Sequence, residues 1–176
     1  MNSELDNTEL LRRLDNLIRL GTIAVLDHGN RRLKVTSGEL LTGWLDWPAE
    51  IGANYKRWRP LRSGTQVVLA CPGGDPTQAK IIGMLYSNNI TSPSSNDAID
   101  LIEFDDGSLL EHNAATQKLT LHSAGDLVLS ADSTVRIIGP VVQTGGDMTS
   151  DDVSVQHHPH DGVQPGAGQS GGPVPS

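Results

Sequence analysis

Residues 118–141 read KLTLHSAGDLVLSADSTVRIIGPV and divide into three octets: KLTLHSAG (118–125), DLVLSADS (126–133) and TVRIIGPV (134–141). Leu119, Leu127 and Val135 fall in register, as do Leu121, Leu129 and Ile137. Within each octet the apolar residues alternate, so an extended chain shows one apolar face before Gly, Ser or Asp turns it. Units this short cannot enclose a core alone and need stacked neighbours. Eight residues are too few for a full coil of a single-chain β-helix. They suit a helix wound from several chains, each adding one side of every rung, and three is the natural number for a triangular section. The alternative is an antiparallel meander that happens to be evenly spaced.

Upstream of the octets, IEFDDGSLLEH (102–112) reads as a strand, an Asp-Gly turn and a return strand. Before it, SNNITSPSSNDA (87–98) is a polar Ser/Asn/Pro connector. Five apolar or alternating runs precede the connector: TIAVLD (22–27), RRLKVTS (31–37), LLTGWLDW (40–47), GTQVVLACP (64–72) and AKIIGMLY (79–86). Five strands in so short a span fit a small barrel, for which the OB-fold is the commonest choice. At the start, NTELLRRLDNLIRLG (7–21) carries Leu10, Leu11, Leu14, Leu17 and Ile18 at helical spacing, with Asn7 or Thr8 as cap and Gly21 as terminator. Such a helix is marginal alone in water, so its stripe docks either on its own domain or on a neighbouring chain.

Composition agrees with a protein that buries its faces against other chains. Only 36% of the 176 residues are hydrophobic and 3% aromatic, with 19 Gly and 10 Pro, which argues against one large globular core. No run approaches the roughly 18 apolar residues of a membrane span, and MNSELDN lacks the pattern of a signal peptide, so the expectation is a soluble, cytoplasmically made chain. The lone Cys71 excludes an intrachain disulfide framework. Net charge is +2 through Ser87 and −10 beyond it, −8 in all, and the acidic half is unsuited to nucleic acid.

The stretch HHPHDG (157–162) gathers three of the six histidines, His157, His158 and His160. In an extended chain His158 and His160 share a face and His157 points to the other. Pro159 favours that geometry. Two imidazoles make a poor metal site, whereas three chains on an axis would contribute six; solvent-exposed tail histidines are the alternative. His28 and His112 sit beside turns without identifiable catalytic partners, and His122 reads as solvent-facing. Cys71 precedes a Gly-rich loop but lacks a cysteine-hydrolase arrangement, and no P-loop, G-x-S-x-G or H-E-x-x-H occurs. Neither catalysis nor a small-molecule substrate is indicated. YKRWRPLRSG (55–64) gathers basic residues around Trp58 and suits either a partner protein or, on an OB-fold, single-stranded nucleic acid.

The order of these parts resembles the phage baseplate assembly protein V family, the central spikes of contractile phage tails and R-type pyocins. The resemblance is carried by LIRLGTIAVLD, LLTGWLDW, YKRWRPLRSGTQVVLACPGGD, AKIIGMLYS, FDDGSLLEHNAATQKLTLHSAGDLVLSA and HHPHDG in sequence. It covers essentially the whole chain. It implies an all-β homotrimer divided into an N-terminal helix (1–21), an OB-fold domain (22–87), a linker (88–98), an intertwined triple-stranded β-helix (99–156) and a metal-binding apex (157–176). It further implies one iron ion per trimer, held by His158 and His160 of three chains. The expected partners are baseplate hub and tail tube proteins and the host outer membrane, which the spike would pierce on sheath contraction. No nucleic acid is expected. Its place would be the tip of the tail baseplate of a virion or pyocin, assembled in the host cytoplasm. The chain departs from the pattern in having an additional His157 and Gln rather than His at 156. An OB-fold module binding nucleic acid or carbohydrate on a trimerising stalk is the second reading.

Overall fold

The computed structural model describes residues 7–158 together with 162 and 166. It divides into two compact units, the first ending at Gly125 and the second beginning at Asp126. The division falls after the first octet rather than within the polar connector at 88–98.

In the first unit, helix α1 (Asn7–Asn16) leads into strand β1 (Ile18–Asp27). The helix is shorter than the apolar spacing predicts. Ile18 to Gly21, read above as its last turn, instead open β1, where Ile18 to Thr22 pair antiparallel with Ala70 to Gln66 of β7 (Gln66–Ala70). Regular pairing with a neighbouring strand supplies partners for this backbone that a fraying helix end lacks. Gly21 therefore does not end a helix. It lies in mid-strand, where a Cβ would come 2.4 Å from Val35 Cγ1 and 2.8 Å from the Thr36 carbonyl oxygen, so glycine allows β1 its close approach to β2 (Arg32–Ser37).

From Thr22 onward β1 pairs with β2 across an irregularity between Ile23 and Val25. The run LLTGWLDW is broken at Thr42–Trp44 into β3 (Leu40–Leu41) and β4 (Leu45–Asp46), which pair with opposite ends of β2. A hairpin of β5 (Glu50–Ile51) and β6 (Lys56–Arg57) follows, and the basic stretch 55–64 begins within it. Strand β8 (Lys80–Leu85) completes the sheet in the order β3-β2-β1-β7-β8, with β4 also on β2. Lys80 on β8 forms an ion pair with Asp46 on β4, so the two margins of the sheet curl toward each other.

Alternation along the strands builds the core. Leu33 and Val35 of β2, Val67 and Leu69 of β7 and Ile23 of β1 are buried with Leu45, Leu61, Cys71 and Ala79. Helix α1 buries none of its residues. It rests on the turn after Cys71, where Gly74 has φ +72° and a Cβ would meet the Arg13 carbonyl oxygen at 2.4 Å. Its leucines face outward, Leu11 and Leu14 each 60% exposed.

Strands β9 (Ile99–Glu103), β10 (Leu109–Asn113) and β11 (Lys118–His122) form an antiparallel meander in the same unit, with the expected turn at Asp105–Gly107. Asp106 accepts the Ser108 N–H, which holds its carboxyl below the usual range. Arg62 reaches Asp105 at 3.0 Å and ties the meander to the first sheet. The first octet is thus a strand of a meander. In the second unit the other two octets contribute no strand among the described residues, and their in-register side chains Leu127, Leu129, Val135 and Ile137 are 54%, 66%, 53% and 69% exposed. The regular structure there is a small hairpin of β12 (Thr149–Ser150) and β13 (Val153–Ser154), turned by Asp151 and Asp152 at φ +47° and +67°.

Two outcomes test this description. Gly21→Val forces a methyl-bearing Cβ against Val35 and should lower unfolding stability by about 1–3 kcal/mol in urea, while Gly43→Ala, which meets nothing within 4 Å, should be close to neutral. Glu9 accepts from Arg12 and Arg13 at 2.7 Å, and these bonds hold its pKa at about 2 rather than 4.5. A depressed carboxylate pKa stabilises the folded state above the unfolded value and loses that contribution as pH falls through the folded one. Helix ellipticity at 222 nm should therefore decline between about pH 4.5 and 2 in the native chain, and Glu9→Gln should flatten that part of the titration.

Candidate functional site

The C-terminal site is built on the β12–β13 hairpin. The positive φ of Asp151 and Asp152 reverses the chain tightly. The Val155 N–H donates to the Met148 carbonyl at 2.8 Å and extends the pairing by a step. Gln156 is anchored: its backbone N–H donates to Asp147 Oδ1 (3.3 Å), and its side-chain amide donates to the Gly146 carbonyl (3.2 Å) and to Gln143 Oε1 (3.3 Å). Gln156 thus fastens the chain to the segment before the hairpin.

Ser154 then directs the two histidines that follow. Its hydroxyl oxygen accepts the His157 N–H at 2.7 Å, and its carbonyl lies 2.8 Å from His158 Nδ1. A carbonyl oxygen only accepts, so Nδ1 carries the proton and the lone pair of the neutral ring is on Nε2. This is the arrangement usual for a metal-ligating histidine, whose second nitrogen donates to a carbonyl or carboxylate. His160, the other expected ligand, lies outside the described residues. Among the described residues, no three His, Cys, Asp or Glu side chains gather into a metal-holding group.

The remaining candidates lie in the first unit, apart from the terminal hairpin. His28 Nε2 donates to the Leu61 carbonyl at 3.2 Å, and its ring packs 5.1 Å from that of Trp47. His112 and His122 lie exposed on β10 and β11, opposite Asp100 and Leu109. Cys71 is buried, its backbone N–H donates to the Leu17 carbonyl at 2.8 Å, and burial pushes its thiol pKa up, which makes it a poor nucleophile. In the basic stretch 55–64, Arg57 and Arg59 each pair with Glu50 at 3.2 Å, and Arg62 pairs with Asp105. Much of the charge that suggested a polyanion is thus matched within the chain.

A second feature escaped sequence reasoning. Trp47 and Trp58 stack at 5.1 Å and 22°, and Trp47 Nε1 donates to the Arg59 carbonyl at 3.2 Å. They line an open cleft of about 400 Å³ between the β5–β6 hairpin and the sheet. The β5–β6 hairpin between the two indoles folds them together, and its two-residue strands leave no local pattern in the sequence.

Comparison with known proteins agrees with this architecture. Residues 19–86 match the family described as the type VI secretion system/phage-baseplate injector OB domain. Residues 152–174 match the GpV apex motif, a range that takes in β13 and all three terminal histidines. The spike protein of Escherichia phage P2 is 33% identical over 143 residues, covering 81% of this chain and 67% of the relative. The chain belongs to the phage baseplate spike family. Membership implies a structural protein that assembles with other baseplate components in the virion tail.

The tautomer is directly measurable. Free neutral imidazole favours the Nε2–H form, so ¹⁵N NMR of the metal-free chain near pH 8 should single out His158 as the Nδ1–H tautomer. Finding His158 mainly as Nε2–H would contradict the Ser154 contact.

Proposed function

We propose that three copies of this chain form the central membrane-piercing spike of a contractile tail. Their residues beyond the β9–β11 meander, rather than the whole of 99–156, would wind into a triple-stranded β-helix, and the ends of the three chains would be joined by one iron ion. The observation that carries this reading is the state of 126–148. These residues hold Val128, Ile138 and Val142 at 80–89% exposure and contribute no strand among the described residues, yet they precede a matched apex motif. Burying a Leu, Ile or Val side chain fully is worth about 1.5–3 kcal/mol. Copies of the same segment offer the matching apolar faces and backbone partners.

At the apex, His158 and His160 of each chain would supply six imidazoles. The Ser154 carbonyl, by holding His158 Nδ1–H, presents Nε2 as the ligand atom. A bound ion would link three chain ends where fraying would otherwise begin. The role is mechanical rather than catalytic: sheath contraction loads the tip against the outer membrane, and interchain winding keeps the shaft from unravelling. The acidic shaft limits adhesion to an anionic membrane surface. Assembly in the host cytoplasm precedes incorporation into the tail.

Sedimentation equilibrium of the purified chain should give a trimer, and a stable monomer would sink the proposal. Elemental analysis should find about one transition-metal ion, iron, per three chains. The double substitution His158→Ala, His160→Ala should abolish it while leaving the trimer in place; metal retained by that variant would refute the ligand assignment.

A further inference from the structure

The Trp47–Trp58 cleft has no part in the spike's shaft or apex, and its construction is that of a binding surface. Its floor is prepared from behind. The His28 ring and the Nε1–H bond to the Arg59 carbonyl fix Trp47, and Trp58 lies on Trp47 with 53% of its surface exposed. Pro48 and Ala49 extend the apolar wall. The charged rim carries Arg31, Arg32, Arg57 and Arg59 against Asp46 and Glu50. The cleft is thus net positive in a chain whose total charge is −8.

The distribution of these charges selects the ligand. Glu50 is shared by Arg57 and Arg59, and Asp46 by Arg32 and Lys80, which holds the Asp46 carboxyl below its usual range. Arg31, at φ +55°, makes no side-chain ion pair or hydrogen bond among the described residues. A continuous phosphate backbone laid along the rim would meet both carboxylates and find a single exposed indole face for stacking. A peptide meets neither difficulty. One carboxylate side chain can take the Arg31 guanidinium, a neighbouring Pro or aliphatic side chain can cover Trp58, and peptide N–H groups can face Asp46 or Glu50.

We propose that this cleft is a docking site for an extended peptide segment that carries an acidic side chain beside an apolar one, presented by a neighbouring baseplate subunit. The identity of the subunit rests on the assembly role; the chemistry of the cleft does not. The ion pairs at Glu50 and Asp46 pre-form the site, so little ordering accompanies binding.

The test is calorimetric titration of the full chain with an acetylated, amidated hexapeptide, Gly-Glu-Pro-Leu-Glu-Gly, and with its counterpart in which Gln replaces both Glu. Saturable binding at one site per chain is expected, with the Gln peptide and the Arg31→Gln chain each weaker by about fivefold or more. Trp58→Phe, which keeps an aromatic face on Trp47, should bind within about threefold of the native chain. The proposal is overturned by an absence of saturable binding, by equal affinity for the two peptides, by indifference to Arg31→Gln, or by tighter binding of a decathymidylate. Because sedimentation reports the trimer independently, failure here would leave the spike reading intact.

Discussion

Strand β1 is the constraint on which the N-terminal unit depends. It exchanges partners at Thr22: the residues before it pair with β7 and those after it with β2, so a single strand joins both halves of the sheet. Gly21 sits at that exchange because β2 passes too closely for any side chain. Everything that follows in the sheet is referred to β1. β7 carries β8, β2 carries β3 and β4, and Lys80 meets Asp46 where the margins approach. Starting β1 at Ile18 also shortens α1 to a helix that buries nothing, so its leucines are left on the surface.

Alternation in the sequence located five strand-forming runs, because core strands such as β2 and β7 bury every second residue. It misjudged Leu17 to Gly21 because Leu17, Ile18 and Leu20 satisfy a helical spacing and a strand alternation equally well. The choice was made by β7, more than forty residues away, and no local pattern records it. The β5–β6 hairpin was missed for the opposite reason. Its strands are two residues each, too short to show a period, and its order comes from ion pairs and a tryptophan stack rather than from alternation.

At the C-terminus, histidine spacing drew attention to His158 and His160, whereas the contacts of Gln156 and Ser154 are hydrogen bonds that spacing cannot show. His157, which had no role in the sequence, has its backbone N–H on the Ser154 hydroxyl. The octets were visible as a period, yet the period does not tell where a chain ceases to pair with itself. The first octet closes a meander with β10, whereas the next two enter no such ladder among the described residues.

The Arg62–Asp105 pair crosses the polar connector, and the compact unit continues to Gly125. Sequence composition would invite a recombination junction at 88–98, where the chain looks most like a linker. A crossover there would separate Arg62 from its carboxylate and join a sheet to a meander chosen for another protein. The tolerant seam lies after Gly125. A designed chimera cut there would keep the three-stranded meander with the sheet to which Arg62 ties it.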